Sequence, residues 1–287
     1  MSQIVTTRRG AFGRLGLMGL AMAGSGSLVS LASRAEAQEI TDADILQFAL
    51  NLEYFETEFY LRATTGHGLD DADAGAGRGK VTGGRKVDFQ TAAIREFGEE
   101  IAENELGHVR FYRAALGDAA VSRPAIDLEG GFAAVAKAIG LPDFDPFANE
   151  VDFLLAGMLI EDAGVTAYAA AVPLLQNKDY VAVAASVLAV ESYHMGMARS
   201  QLYQMGERAI TATNAISDAR NALDGEGDKD QHLRVNGKAN FVPSDANGMA
   251  FRRSPQEILR IVYLSGAPGV SSGGFFPEGL NGALRTT

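Results

Sequence analysis

Two short runs carry the residue types best suited to chemistry, Glu105-Leu106-Gly107-His108 and Glu191-Ser192-Tyr193-His194. Each sets a Glu and a His three residues apart in a segment whose apolar spacing predicts a helix. Both side chains then lie on one face, about 5–6 Å apart at Cβ, where a carboxylate and an imidazole can share one metal ion. The chain has four histidines, and two of them stand in this pattern. Upstream of each run is a further Glu followed seven residues later by a Tyr, Glu53 with Tyr60 and Glu161 with Tyr168. Seven residues is about two helical turns, so each pair shares a stripe. The order Glu, Glu-x-x-His, Glu, Glu-x-x-His is the ligand order of a dinuclear carboxylate site inside a four-helix bundle. The candidate metal ligands are therefore Glu53, Glu105, His108, Glu161, Glu191 and His194. Glu56 lies one turn beyond Glu53 and is the alternative on the first helix; the Tyr spacing favours Glu53.

Four carboxylates in an apolar bundle are costly unless paired, at several kcal/mol for each bare ion. Two divalent cations would balance Glu53, Glu105, Glu161 and Glu191, and the two imidazoles would add one neutral nitrogen each. An oxygen-rich, two-nitrogen, thiolate-free set suits iron or manganese. Tyr60 and Tyr168 would sit within a turn or two of the metals as hydrogen-bond donors, or serve as ordinary buried tyrosines. A lone Glu-x-x-His is usually a surface coincidence. The doubled pattern, with its Glu…Tyr partners in order, is what points to a metal site.

The elements that must position these residues can be read in order. A helix is expected from Thr41, whose hydroxyl can cap with Asp42 and Asp44 in the first turn, to Thr65 before Gly66-His67-Gly68. Glu58 falls off the ligand stripe and is expected to be solvated, as is His67. A Gly-rich loop over 66–89 has room for a hairpin at Lys80–Asp88 through Gly83-Gly84. The second helix is expected over about 90–116, with Glu99, Glu100 and Glu103 on a solvated face. A connection over 117–147, with a short helix near 131–139, is long enough to carry the chain from one end of a bundle to the other. The third helix is expected over about 146–171. The fourth, capped by Asp179, should run to Gly206, and a weaker one over 208–223 follows. Residues 224–250 read as irregular. Ser254-Pro255-Gln256-Glu257 reads as a capped helix start, and the apolar, turn-rich segment 273–282 is expected to pack on the bundle. No alternation long enough for a sheet is present, so the fold class is all-α.

Composition narrows the function. The chain has 287 residues, a formal charge of −11, 47% hydrophobic residues and no cysteine. Disulfides, zinc ribbons, iron–sulfur clusters and thiolate nucleophiles are excluded. An acidic surface argues against nucleic acid and anionic membranes as partners and is compatible with drawing in metal ions. Residues 1–37 read as a targeting segment. Thr7-Arg8-Arg9-Gly10-Ala11-Phe12 resembles a twin-arginine signal, a weakly apolar Gly/Ala stretch follows, and Ala35-Glu36-Ala37 fits a small-x-small cleavage site. The expectation is a periplasmic or secreted protein with no stable membrane insertion after processing. The domains are then 1–37 signal, 38–224 helical bundle, and 225–287 C-terminal extension packed on it.

With these residues in view, the chain resembles the ferritin-like superfamily, and within it the bacterial proteins related to plant desiccation-related proteins. The likeness is carried by Ala49-Leu50-Asn51-Leu52-Glu53-Tyr54 with Glu58-Phe59-Tyr60, by both Glu-x-x-His runs, and by Arg260-Ile261-Val262-Tyr263 with 274–282. It implies a ferritin-like four-helix bundle with a long crossover connection, an irregular C-terminal extension and a dimetal centre. It leaves the reaction open among ferroxidase, peroxidase, catalase and oxygenase chemistry. Rubrerythrin-like peroxidases carry a thiolate iron domain, which a chain without cysteine cannot build. The expectation is redox chemistry on a small oxidant, peroxide or dioxygen, in oxidative or desiccation stress, with a homo-oligomer open. The alternative is a non-catalytic metal-binding or structural stress-protection protein. Iron storage ranks last, because cage ferritins are built from shorter chains.

Overall fold

Four long helices carry the two repeats in a computed structural model that describes residues 40–287. The expected targeting segment lies outside the described residues. Helix α1 spans Asp42–Thr65 and is followed by the single turn α2, Asp71–Ala74. Helix α3 spans Ala92–Leu116, the short α4 Leu128–Ala138, α5 Glu150–Ala171 and α6 Lys178–Gln204. Helices α7, Glu207–Asp224, and α8, Pro255–Val262, come after the bundle. Local chemistry sets most of these boundaries. Thr41 and Asp44 form a capping box on α1, which stops at Gly66 in the left-handed region at φ 87°. Ser254 and Glu257 form a second capping box with Pro255 in the first turn of α8.

Helix α1 packs along α3, and α5 along α6. Hydrogen bonds at the helix ends fix their directions. The Glu150 carboxylate accepts from the backbone N–H of Gln90 and Thr91 at 3.0 and 2.9 Å and from the Thr91 hydroxyl at 2.8 Å. The start of α3 is thus capped by the start of α5, and the two run parallel. At the N-terminus of α1, Asp42 accepts from the N–H groups of Gln176 and Asn177, both at 2.8 Å, so α1 begins where α6 begins. Residues 117–149 must therefore retrace the length of α3, about 37 Å for 25 residues. That is the long crossover of a ferritin-like bundle, and the fold is all-α.

Several boundaries differ from the sequence reading. Helix α5 starts at Glu150 rather than near Pro146, because the Asn149 side chain accepts from Val151 and Asp152 and makes the cap. Asn177, not Asp179, caps α6; Asp179 lies in the first turn and its N–H donates to the Asn177 side chain. The hairpin at Lys80–Asp88 does not form. Val81–Thr82 instead pairs in parallel with Ile126–Asp127 of the crossover. Gly83 and Gly84, at φ 80° and 85°, turn the chain away from that pairing, and a Cβ on Gly84 would meet Arg62 at 2.6 Å.

The segment after α7 lies against the bundle. Phe275 packs on Phe55 of α1 and Phe132 of α4 with ring centroids 4.8 and 4.9 Å apart. Asn281 donates to and accepts from the fully buried Asn51 side chain of α1, at 3.1 and 2.9 Å. Its own amide reaches the Ser122 carbonyl at 2.8 Å. Ile258, Leu259 and Val262 of α8 join the same core. Helix α5 is buried along nearly its whole length. This accounts for its uniform apolarity, since a helix with neighbours on every side has no polar face to mark.

Candidate metal centre

The ligand residues come from four helices and converge in the bundle core. Glu53 projects from α1, Glu105 and His108 from α3, Glu161 from α5, and Glu191 and His194 from α6. All four of these Glu side chains are fully buried, and His194 is nearly so. They form two overlapping groups, Glu53, Glu105, His108 and Glu191 in one and Glu105, Glu161, Glu191 and His194 in the other. Glu105 and Glu191 belong to both. Within each group the donor atoms lie within 4.8 Å of one another. Bonds of about 2.0–2.2 Å to one ion would place donors up to about 4.4 Å apart, so each group needs to contract by only a few tenths of an ångström.

The donor atoms face each other with few partners. His108 Nδ1 stands 3.1 Å from Glu53 Oε2, 3.2 Å from Glu105 Oε2 and 3.7 Å from Glu191 Oε1. His194 Nδ1 stands 3.2 Å from Glu105 Oε1 and 3.4 Å from Glu161 Oε2, without the angles of a hydrogen bond. Glu105 Oε1, Glu161 Oε2, both Glu191 oxygens and His194 Nδ1 are buried with no hydrogen-bond partner. Buried polar atoms are rarely left so. Several such atoms converging from three helices fit a cation that supplies the missing contacts.

The two tyrosines are strapped crosswise. Tyr60 donates to Glu161 Oε1 at 2.6 Å, and Tyr168 donates to Glu53 Oε1. The Tyr of each repeat therefore holds the Glu of the other. Each phenol occupies one carboxylate oxygen and leaves the second, Glu161 Oε2 or Glu53 Oε2, beside the imidazole of its own group. Burial, and then the Glu161 charge for Tyr60 and the Glu53 charge for Tyr168, hold both phenols well above their ordinary pKa. Both keep the proton they donate.

Electrostatics tie the cluster together. Burial lifts Glu53 to about 7 against the pull of His108. Glu191 and Glu56 are pushed well above the ordinary carboxylate range by burial, with Glu105 the next cause for Glu191 and Glu53 the next for Glu56. For Glu105, burial is outweighed by hydrogen bonds and charge from His108 and His194, and its pKa falls below the ordinary value. Burial of the imidazoles is likewise outweighed. Glu53 and Glu105 raise His108 to about 11, and Glu161 and Glu105 raise His194 to about 10.

Glu53 lies in a donor group and Glu56 in neither. Glu56 is nonetheless buried beside the cluster. Its counterpart in the second repeat is Gly164, where a Cβ would stand 2.8 Å from Glu191 Oε2 and 3.2 Å from Glu56 Oε1. The missing side chain of α5 makes room for the extra carboxylate of α1. His67 is exposed, as expected. Glu58 is not solvated. It is fully buried, ion-paired with Arg123 and bonded to Arg62 at 2.8 Å, and it accepts from Leu69 N–H at 3.2 Å. The loop after α1 and the crossover fold over the face that the helix period leaves outward. Tyr112 was missed. It is buried near Tyr168 with an unpartnered hydroxyl, and its sequence signal was present, since it follows Glu105 by the same seven residues.

A ferritin-like domain family matches residues 41–204, which hold all six donor residues. The chain belongs to the ferritin-like domain family. Two curated relatives extend the ferritin-like match beyond the bundle. One is desiccation-related protein PCC13-62 from Craterostigma plantagineum, 33% identical over 242 residues that cover 76% of each chain. The other is ferritin-like catalase Nec2 from Nesocodon mauritianus, 29% identical over 266 residues, 85% of this chain and 84% of that one. No solved structure matches.

Proposed function

We propose that this ferritin-like protein is an exported metal-dependent oxidoreductase that disproportionates peroxide at two iron or manganese ions. The observation that carries this reading is the pair of overlapping donor groups sharing Glu105 and Glu191, with their orphaned oxygens and nitrogen. Glu53 with His108 would hold one ion and Glu161 with His194 the other, with Glu105 and Glu191 available to either. Bound there, the metals supply reversible electron storage and polarise the oxidant. The rest is done by the chain. Tyr60 and Tyr168 fix Glu161 and Glu53 with one oxygen each turned to the cluster. The bundle core keeps the donors dry, which strengthens every charge interaction among them.

Disproportionation turns two hydrogen peroxide molecules into two waters and one dioxygen. One peroxide gives the electrons that the other takes, so no outside donor is needed. That suits a chain without cysteine to anchor an iron–sulfur donor, and it agrees with the similarity to a ferritin-like catalase. The similarity to a desiccation-related protein favours work under oxidative or drying stress and keeps a non-catalytic, metal-stabilised protein as the second reading. Export rests on Arg8-Arg9 and the Ala35-Glu36-Ala37 site.

The test is elemental analysis of the protein purified from its own export compartment, beside a His108→Ala/His194→Ala double variant. About two ions per chain are expected, lost in the double variant together with oxygen release from peroxide. A loaded protein inert to peroxide would hand the lead to the second reading.

A further inference from the structure

The two sides of the donor cluster are closed to different degrees. On the α1/α5 side, beside Glu56, there is only a cavity of about 20 Å³, walled by Phe55, Ile160, Ile258, Val262 and Phe275. That is room for roughly one water, and α8 with the C-terminal segment lies over it. The α3/α6 side is different. There a hollow of about 420 Å³ opens outward, lined by Phe111, Val183, Ser186, Val187 and Val190, with His108 among its walls. His108 is also the most exposed of the six donor residues, at 12% of its side chain, against 7% for His194 and none for the four carboxylates. Its Nδ1 faces Glu53, Glu105 and Glu191 while its ring borders the hollow. The imidazole is therefore the partition between solvent and the carboxylates.

We propose that the oxidant reaches the metals through this hollow, past His108, and that its uncharged walls select a small neutral substrate over a metal ion. The proposal rests on the reading of the cluster as a metal centre. Apart from His108, the wall is aliphatic and aromatic with one hydroxyl, Ser186. An ion crossing it would shed water without gaining a ligand, at a cost of several kcal/mol, whereas hydrogen peroxide and dioxygen carry no charge. Resident metal needs to arrive once, but a substrate must pass in every turnover. The hollow thus favours peroxide or dioxygen as the turnover substrate and disfavours ferrous ion as cargo.

The test uses full-length protein reconstituted with ferrous ion under anaerobic conditions, with metal content measured for every variant. Ser186→Trp fills the mouth from an exposed position, Phe111→Ala widens it, and Ala185→Trp places the same bulk on α6 outside the hollow. The first readout is the association rate of nitric oxide, a neutral probe whose optical band reports arrival at the iron whether or not peroxide turns over. At equal metal content, Ser186→Trp should slow association at least 10-fold, Phe111→Ala should speed it, and Ala185→Trp should leave it unchanged. If Ser186→Trp fails to fold, Ala182→Trp, at another exposed position lining the hollow, and the Phe111→Ala acceleration carry the test. Unchanged rates in loaded variants would overturn the route while leaving the metal centre standing. Loaded wild-type protein that binds nitric oxide through the hollow yet ignores peroxide would sink the catalase reading and keep the route. A wild-type chain that takes up no metal would overturn both. The second readout is oxidation of ferrous ion offered in excess over the resident metal. It should run no faster than without protein, and catalytic consumption would overturn the neutral-substrate assignment.

Discussion

Two clusters of charge are buried in this molecule, and their balance differs. The metal-centre cluster gathers five carboxylates, Glu53, Glu56, Glu105, Glu161 and Glu191, around two imidazoles, and leaves oxygens and a nitrogen without partners. The other lies where α5, α6 and α7 meet the segment that follows them. It pairs Arg199, Arg220 and Arg253 with Asp162, Asp224 and Asp230, all nearly or fully buried. Arg199 bonds Asp162 at 2.9 Å and the carbonyls of Gln231 and His232 at 3.0 and 3.1 Å. Arg220 bonds Asp162 at 2.8 Å, Asp230 at 2.7 Å and the Leu159 carbonyl at 2.8 Å. Arg253 bonds Asp224 at 2.7 Å and Thr166 at 3.0 Å and also pairs with Asp230. Here the chain supplies both signs. At the metal centre it supplies mostly one and leaves the other to come from outside. Glu161 and Asp162 are neighbours in sequence, yet one faces each cluster. Residue type alone therefore does not separate the two clusters; the balance of charge within each does.

This contrast can be broken by experiment. The largest effect is expected from Glu105→Ala, which removes a donor shared by both groups. Bound metal and peroxide turnover should both fall to background, while the metal-free protein stays folded by circular dichroism; retained metal would show that Glu105 is not a shared ligand. In the other cluster, Arg220→Ala leaves three buried carboxylates facing two guanidiniums, with Asp162 held by Arg199 alone and Asp230 by Arg253 alone, and should cost about 3–5 kcal/mol in denaturant unfolding, equally with and without metal. A loss that appears only in loaded protein would tie that network to the centre. Tyr60→Phe or Tyr168→Phe should weaken metal binding by roughly 10–100-fold, as removal of a partner that orients a ligand does, and competition with a chelator would measure it. Glu191→Met replaces a buried carboxyl group that has no hydrogen-bond partner by an apolar side chain of similar length, so it should raise the melting temperature of metal-free protein by an amount worth about 1–3 kcal/mol; a drop would mean that the carboxyl group is compensated after all.

Acidity sharpens the same comparison. At pH 7 the metal-free imidazoles, raised to about 10 and 11 by the carboxylates around them, hold their protons, and burial shifts Glu53 toward its protonated form. Metal must displace these protons. The metal-free state binds more of them, so acid favours it, and metal affinity should rise between pH 6 and pH 8 by about 10-fold per pH unit for each proton displaced. Titration in buffers of different ionisation enthalpy would count the protons released. The arginine network, three guanidiniums against three carboxylates, balances its charge within the chain and needs no metal to do so.

The donor stripe was legible because helical periodicity is local. Glu-x-x-His and the Glu…Tyr spacing fix a face within two turns, and capping boxes at Thr41 and Ser254 announce their own helices. What escaped depends on partners far along the chain. No local pattern marks the role of Arg199, since Gln231, His232 and Asn240, whose carbonyls it bonds, lie 32 to 41 residues away. Glu58 read as solvated because Arg123, 65 residues on, is what buries and balances it. The parallel pairing of Val81 with Ile126 likewise joins two segments that carry no mark of each other.

The cover of Phe275 and α8 over the Glu56 side also sets an order in time. Residues 255–282 are made after all four helices that supply donors, because a chain is synthesised from its N-terminus. For the interval before they dock, the bundle can exist with that side uncapped and the carboxylates within reach of solvent. Sequence order therefore gives the new chain an interval in which a cation could meet the carboxylates on that side before the cover docks.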